Sequence, residues 1–189
     1  MSLINLFRQG KETLCILILQ SNQPIFSDEV VKYLLLQQLN KRKSKITAAI
    51  YAFCVLDYEL RLLIGVRPGE EHLAEEEART ERDIFFEQMK KRRLLRQSDE
   101  AEVKVIPLAS DADLLEQCMR MHMLAVDQKV VSKPEDFFWH SYQTYRGSYI
   151  WNFLDIAKPL SLLPDARGER RRRYVRAQHQ GSRPDRPLP

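Results

Sequence analysis

Residues 46–66 read ITAAIYAFCVLDYELRLLIGV, and this stretch decides the fold. Its first half, 46–56, is rich in β-branched and aromatic side chains, which favours a strand. In its second half apolar residues alternate with Glu59, Arg61 and Leu63, so these three share one face of a second strand. Asp57 and Tyr58 separate the two runs and suit a turn. The stretch therefore predicts an antiparallel β-hairpin.

The segments around the hairpin complete a recognisable order of elements. An apolar run at 13–20 predicts a buried strand, and the alternation at 102–108 predicts a fourth strand. Helical spacing predicts one helix that begins after Ser27 and a longer helix over 70–97. The order strand–helix–strand–strand–helix–strand predicts an α+β protein. We expect a ferredoxin-like antiparallel sheet (βαββαβ) with helices on one face, followed by a C-terminal helix and a basic tail.

The charge of the chain is unevenly distributed. The 189 residues have a formal net charge of +4. Eight arginines stand against three acidic residues in 165–189, a net charge of +5, which leaves −1 for residues 1–164. We therefore expect a domain over 1–164 and an Arg-rich, disordered tail over 165–189. Such a tail indicates contact with a polyanion, most often nucleic acid; the alternative is a tail that only keeps the protein in solution.

Several classes of protein are excluded by what the sequence lacks. No apolar run reaches the length of a membrane span, and three distant cysteines in apolar stretches fit neither a disulfide framework nor a zinc site. We therefore expect a cytoplasmic protein that makes no membrane contact. The phosphate-loop, dinucleotide-binding, metalloprotease and serine-hydrolase motifs are all missing. An enzyme of these familiar kinds is excluded.

The most specific stretch is 133–147, which reads KPEDFFWHSYQTYRG. It resembles the C-terminal signature of the REP-associated tyrosine transposases, a group of the HUH single-strand DNA transposases. The positions in register are Pro134, Glu135, Asp136, Phe137, Trp139, Ser141, Tyr142, Tyr145 and Gly147. The resemblance extends more loosely over about 13–165, and the predicted strand order is the one that this family uses.

The resemblance implies a chemistry whose residues this chain does not carry. The family cuts DNA with a tyrosine nucleophile, aided by a divalent metal such as Mg²⁺ on a His-x-His pair. In register, Glu59 and Arg61 occupy the two histidine positions, Arg120 the tyrosine position and Leu124 the position of a site asparagine. A guanidinium stays protonated and cannot bind a metal. We therefore expect no metal site, no cofactor and no catalytic residue. Tyr58 is a poor replacement nucleophile, because alternation points it away from Glu59.

The remaining candidates are residues that would bind DNA. Arg61 and Arg120 would converge on a phosphate if the fold holds, although Glu59 and Arg61 could simply form an ion pair. Trp139 and Tyr142 would stack on unpaired bases; the alternative is that they pack the C-terminal segment on the sheet. The basic run supplies the other candidates, namely Arg170, Arg171, Arg172 and Arg173.

Taken together, these residues predict a transposase-like protein that binds single-stranded or hairpin DNA without cutting it, as a monomer or homodimer. One alternative is a protein-interaction module, or a relic of a transposase, that does not bind DNA. The least favoured alternative is an active nuclease with rearranged site residues.

Overall fold

The computed structural model describes residues 12–42, 48–109, 112–163 and 170–181. Four strands form one antiparallel sheet with the order β2-β3-β1-β4. They are β1 (Thr13–Gln20), β2 (Ala49–Val55), β3 (Glu59–Val66) and β4 (Glu102–Pro107). Two helices connect them in the predicted order, and the α+β, ferredoxin-like class is therefore confirmed.

The turn of the predicted hairpin lies where the sequence placed it. The N–H of Leu56 donates to the carbonyl oxygen of Glu59 over 2.8 Å and closes a two-residue turn at Asp57 and Tyr58. The same turn is fixed from outside, because the N–H of Phe26 donates to the carbonyl oxygen of Asp57 over 3.0 Å. These bonds hold the start of β3 in a defined position.

Alternation along β3 divides its side chains between two cores. Leu62 packs in one core and Leu63 in the other, on opposite faces of the sheet. Glu59 and Arg61 stand four and two positions before Leu63 on this strand. They therefore lie on the Leu63 face, as predicted.

One face of the sheet is covered by the two long connecting helices, α1 (Glu29–Arg42) and α2 (Glu71–Lys91). Their buried side chains, which include Leu35 and Phe85, pack on the apolar face of β3. The second helix ends before the predicted residue 97. Arg93 adopts a φ of 59°, in the left-handed region, and the α-helix cannot continue through that conformation.

The opposite face is covered by the chain that follows β4. Four helices lie there: α3 (Leu114–Asp127), α4 (Tyr142–Arg146), α5 (Ala157–Ser161) and α6 (Arg170–Gly181). The sequence predicted the helices of the βαββαβ unit on one face, and the structure adds these later helices on the other. Among the described helices, none is both long enough and apolar enough to cross a membrane.

The helix α6 corrects one expectation. The sequence predicted no ordered structure after residue 164, but residues 170–181 form a helix whose Tyr174 is fully buried (0% exposed). The arginine-rich composition suggested disorder, and the anchoring role of the aromatic side chain Tyr174 was not predicted. Residues 164–169 and 182–189 lie outside the described residues, so the predicted boundary at 164/165 stays a prediction.

Candidate nucleic-acid interface

A cavity of about 380 Å³ lies at the hairpin turn, and its polar lining includes Glu59, Arg61 and Gln128. Glu59 is buried, and its Oε1 lies 2.9 Å from Nη2 of Arg61. A buried carboxylate requires a compensating charge, and Arg61 supplies it. The ion pair expected from their spacing on one strand face is therefore present. The Nε of Arg61 is buried without an acceptor among the described residues.

Gln128, the residue directly after α3, also lines this cavity, and the sequence analysis did not single it out. Its Nε2 donates to Oε1 of Glu59 over 3.3 Å. Gln128 stands at the C-terminal end of α3, four residues after Leu124. A spacing of one helical turn from Leu124 was the signal that could have identified it.

Two predicted site residues, Arg120 and Leu124, are not among the described residues that line this cavity. Arg120 is exposed, and its Nη2 lies 2.7 Å from Oε1 of Glu116 on the surface of α3. Leu124 packs against the second core. Arg120 precedes Gln128 by two helical turns, about 12 Å along the axis. Arg120 therefore lies outside the described lining of the cavity that contains Arg61, and the predicted convergence of the two arginines stays a prediction.

The residues at this cavity do not fit a divalent cation. Its two carboxylates already have cationic partners: Glu59 pairs with Arg61, and Oδ1 of Asp57 lies 2.8 Å from Nζ of Lys32. These fixed positive charges repel a metal ion. Within the described ranges, no group of three or more histidine, cysteine, aspartate or glutamate side chains is placed to hold a metal. No metal-assisted step follows from this geometry.

Tyr58 also lines the cavity, and the residue is 53% exposed. Strand alternation predicted that Tyr58 points away from Glu59, but Tyr58 lies in the turn, where alternation no longer applies. Tyr58 and Glu59 both line this cavity, and the predicted direction of the Tyr58 side chain stays a prediction. Cys54, which pairs with Arg61 across the hairpin, offers no nucleophile, because burial raises the pKa of its thiol to about 12.

The two aromatic residues predicted to stack on bases lie in different surroundings. Tyr142 is fully buried (0% exposed), and its ring contacts the rings of His122 and His140. It cannot reach a base, so the stacking prediction is wrong for Tyr142 and the packing alternative holds. Trp139 is half-buried between the two cores, and its ring contacts that of Phe138.

The predicted arginine run occupies the first turn of α6. Arg171 and Arg172 are exposed, whereas Arg170 and Arg173 are half-buried. The helix is anchored by Tyr174, four residues before the second anchor, Gln178. The spacing of four places both anchors on one face of the helix and leaves the other face to solvent.

Each anchor of α6 has a partner on α3. The hydroxyl of Tyr174 lies 2.7 Å from Nδ1 of His122, and Nε2 of Gln178 donates to the carbonyl oxygen of Met119 over 3.0 Å. The other ring nitrogen of His122, Nε2, lies 2.7 Å from Oγ of Ser141 at the start of α4. All these side chains are buried, so they join three helices rather than form a reactive site.

The two histidines of this core have packing roles, because both rings lie in its interior. His122 and His140 are both fully buried (0% exposed). Burial lowers the pKa of His140 to about 4 and holds the pKa of His122 well below its usual value. Both rings are therefore neutral at neutral pH.

Comparison with known proteins supports the fold. No protein-family model matches the chain. No curated protein matches it either. A solved structure of a REP-associated tyrosine transposase bound to a REP hairpin is similar, with a TM-score of 0.52, 13% identity, and coverage of 78% of this chain and 88% of that chain. The chain thus has the fold of a REP-associated tyrosine transposase, and the resemblance seen in 133–147 is confirmed at the level of fold.

Proposed function

We propose that the chain is a transposase-like protein that binds single-stranded or hairpin DNA and does not cut it. The observation that carries the proposal is the difference in charge between the two sides of the sheet. On one side, the helices α1 and α2 together carry eight acidic and seven basic residues; on the other, the helices α3 to α6 carry two acidic and eight basic residues, five of them arginines of α6. A polyanion would approach the α6 side. The fold adds support, because the similar transposase was solved with a DNA hairpin.

The residues proposed for DNA contact all lie on the α6 side. Arg61 faces α3 from the sheet, Arg120 lies on the outer surface of α3, and Arg171 and Arg172 are exposed on α6. Arginine binds phosphate through two parallel N–H donors. We assign phosphate contacts to these four residues, with Arg170 and Arg173 beside them, and base contact to the half-buried Trp139.

The absence of cleavage is proposed from the chemistry of the cavity. Glu59 and Arg61 neutralise each other where the resemblance places a metal-binding histidine pair. Arg120, at the tyrosine position, is bound to Glu116 and has no hydroxyl group. A phosphate held there would meet positive charge, but neither a metal ion nor an activated nucleophile. The proposal covers a cytoplasmic protein that acts as a monomer or homodimer.

The test is the binding of a fluorescent DNA hairpin with a single-stranded extension, measured by anisotropy over a salt series. We expect the logarithm of the association constant to fall linearly with the logarithm of the salt concentration, by about 0.7–0.9 per phosphate contact. No binding at low salt would overturn the proposal.

A pair of matched variants on α3 sharpens the test. Arg120→Ala should weaken binding about 2- to 10-fold and lower the salt slope by roughly 0.7–0.9, because one phosphate contact is lost. Glu116→Ala removes the acidic partner of the same ion pair and should strengthen binding. Equal affinities for the two variants would exclude Arg120 from the interface.

A further inference from the structure

A cleft of about 290 Å³ opens between α4 and α6, and it is lined almost entirely by arginine. The lining residues are Arg146, Arg171, Arg172, Val175 and Arg176. Of the described residues that line the cleft, none carries a carboxylate. Four arginines around one opening give it a positive potential, which favours the binding of an anion with several charges. The cleft is therefore built for a polyanion.

The arginines converge because two helices are fixed against each other. Tyr174 and Gln178 hold one face of α6 against α3 through bonds to His122 and to the backbone of Met119. This leaves Arg172 and Arg176, one helical turn apart, on the face that lines the cleft. The position of these charges is set by buried contacts.

The other wall depends on Gly147, which ends α4 directly after Arg146. Gly147 has a φ of 88°, a left-handed conformation that favours glycine. A Cβ at this position would lie 2.7 Å from Nη1 of Arg171. The glycine therefore both ends the helix and leaves room for the Arg171 guanidinium beside the backbone.

We propose that this cleft is a phosphate-binding site that holds neighbouring phosphates of a DNA strand. The identity of this ligand rests on the proposed function. Guanidinium groups match the oxygen pairs of a phosphate with two donors each. The site adds Arg146 and Arg176 to the interface, two residues from outside the run 170–173. Pyrophosphate has the same chemistry and serves as a probe that contains no nucleic acid.

The first experiment compares two double variants of the full chain in the hairpin-binding assay. Arg171→Ala/Arg176→Ala removes two charges from the cleft. The control Arg79→Ala/Arg92→Ala removes one exposed charge from α2 and one from the residue directly after it, on the other side of the sheet. We expect the cleft variant to bind about 10-fold or more weakly, with a salt slope lower by about 1.4–1.8. The control should change affinity less than about 3-fold, since it alters only the long-range field.

The second experiment adds pyrophosphate to the wild-type chain and follows the arginine Nε–Hε signals by NMR. We expect the signals of Arg146, Arg171 and Arg176 to shift. In the cleft variant, which retains only Arg146 of these three, pyrophosphate should no longer shift the Arg146 signal. Pyrophosphate shifts without hairpin binding would support the phosphate site and overturn the proposed DNA function. Hairpin binding that is equal in the two double variants would overturn the cleft assignment and leave the proposed function standing.

Discussion

The hydroxyl of Tyr174 lies 2.7 Å from Nδ1 of His122, and this contact joins the arginine-bearing helix α6 to α3. Both residues are fully buried, and the ring of Tyr174 also packs 4.7 Å from that of Tyr145, measured between centroids. Because Nε2 of His122 is bound to Ser141, the imidazole links α6 to α3 and α4 at once. The proposed phosphate cleft depends on this link, since α4 and α6 form its two walls.

Removal of the Tyr174 hydroxyl should destabilise the protein without creating a cavity in the core. Tyr174→Phe keeps the ring but leaves Nδ1 of the buried His122 without its partner. A buried polar atom that loses its hydrogen bond costs about 1–3 kcal/mol, and we expect the free energy of unfolding in urea to fall by that amount. The control is Tyr33→Phe on α1, where the side chain is 46% exposed and the change should stay within about 0.5 kcal/mol. Equal stability of the two variants would contradict the role given to this bond.

The buried histidines should make the protein sensitive to mild acid. Burial lowers the pKa of His140 to about 4 and that of His122 well below its usual value, whereas both titrate near 6.5 in the unfolded chain. Their contribution to stability is thus complete above about pH 6.5 and is lost as the pH falls toward the folded pKa values. Between pH 6.5 and pH 5.5 the free energy of unfolding should fall by about 2 kcal/mol, roughly 1 for each histidine. Urea unfolding at pH 7.5, 6.5 and 5.5 measures this slope.

A variant of one histidine tests the origin of that slope. His140→Leu removes one of the two buried titrating rings and replaces it with an apolar side chain. We expect the slope near pH 5.5 to be halved, whatever the variant does to stability at pH 7.5. An unchanged slope would assign the acid sensitivity to other groups.

The sequence was sufficient for the sheet and insufficient for its second face. Alternation along 59–66 placed Glu59 and Arg61 correctly, because the period of a strand is fixed by its backbone. Nothing comparable identified α6, where five arginines mask the spacing of Tyr174 and Gln178. Their burial depends on partners more than fifty residues earlier in the chain. Helix propensity reflects only neighbouring residues and cannot predict such contacts.

The sequence predicted only those contacts of the candidate site that are local in the chain. The Glu59–Arg61 pair is local and followed from spacing. The role of Gln128 depends on how far α3 extends along the sheet, and that distance is set by packing. A family register shows which residues stand at equivalent positions, but not whether a helix places Arg120 or Gln128 at the cavity. The burial of Tyr142 likewise required the three-dimensional core.

Two glycines with similar φ values, one next to the cleft residue Arg171 and one outside the cleft, provide a test of the cleft. Gly69 and Gly147 have φ values of 85° and 88°, so alanine at either should cost about 1–2 kcal/mol of backbone strain. A Cβ at Gly69 meets nothing within 4 Å, whereas at Gly147 it displaces the flexible end of Arg171. We expect Gly147→Ala to weaken hairpin or pyrophosphate binding severalfold and Gly69→Ala to leave it unchanged. Equal binding by both variants, with equal loss of stability, would separate Arg171 from the ligand.

Tyr58 allows the proposed loss of cleavage to be tested directly. Tyr58 is an exposed residue that lines the cavity, but the two nearby carboxylates, Asp57 and Glu59, form ion pairs with Lys32 and Arg61. Without a free carboxylate to bind a metal ion, the scissile phosphate is not polarised and the phenol is not activated. Incubation of end-labelled hairpin DNA with Mg²⁺ or Mn²⁺ should therefore give neither shortened DNA nor a protein–DNA adduct that survives denaturation, and Tyr58→Phe should behave like the wild type. An adduct formed by the wild type and absent from Tyr58→Phe would establish Tyr58 as a nucleophile and the chain as an active nuclease.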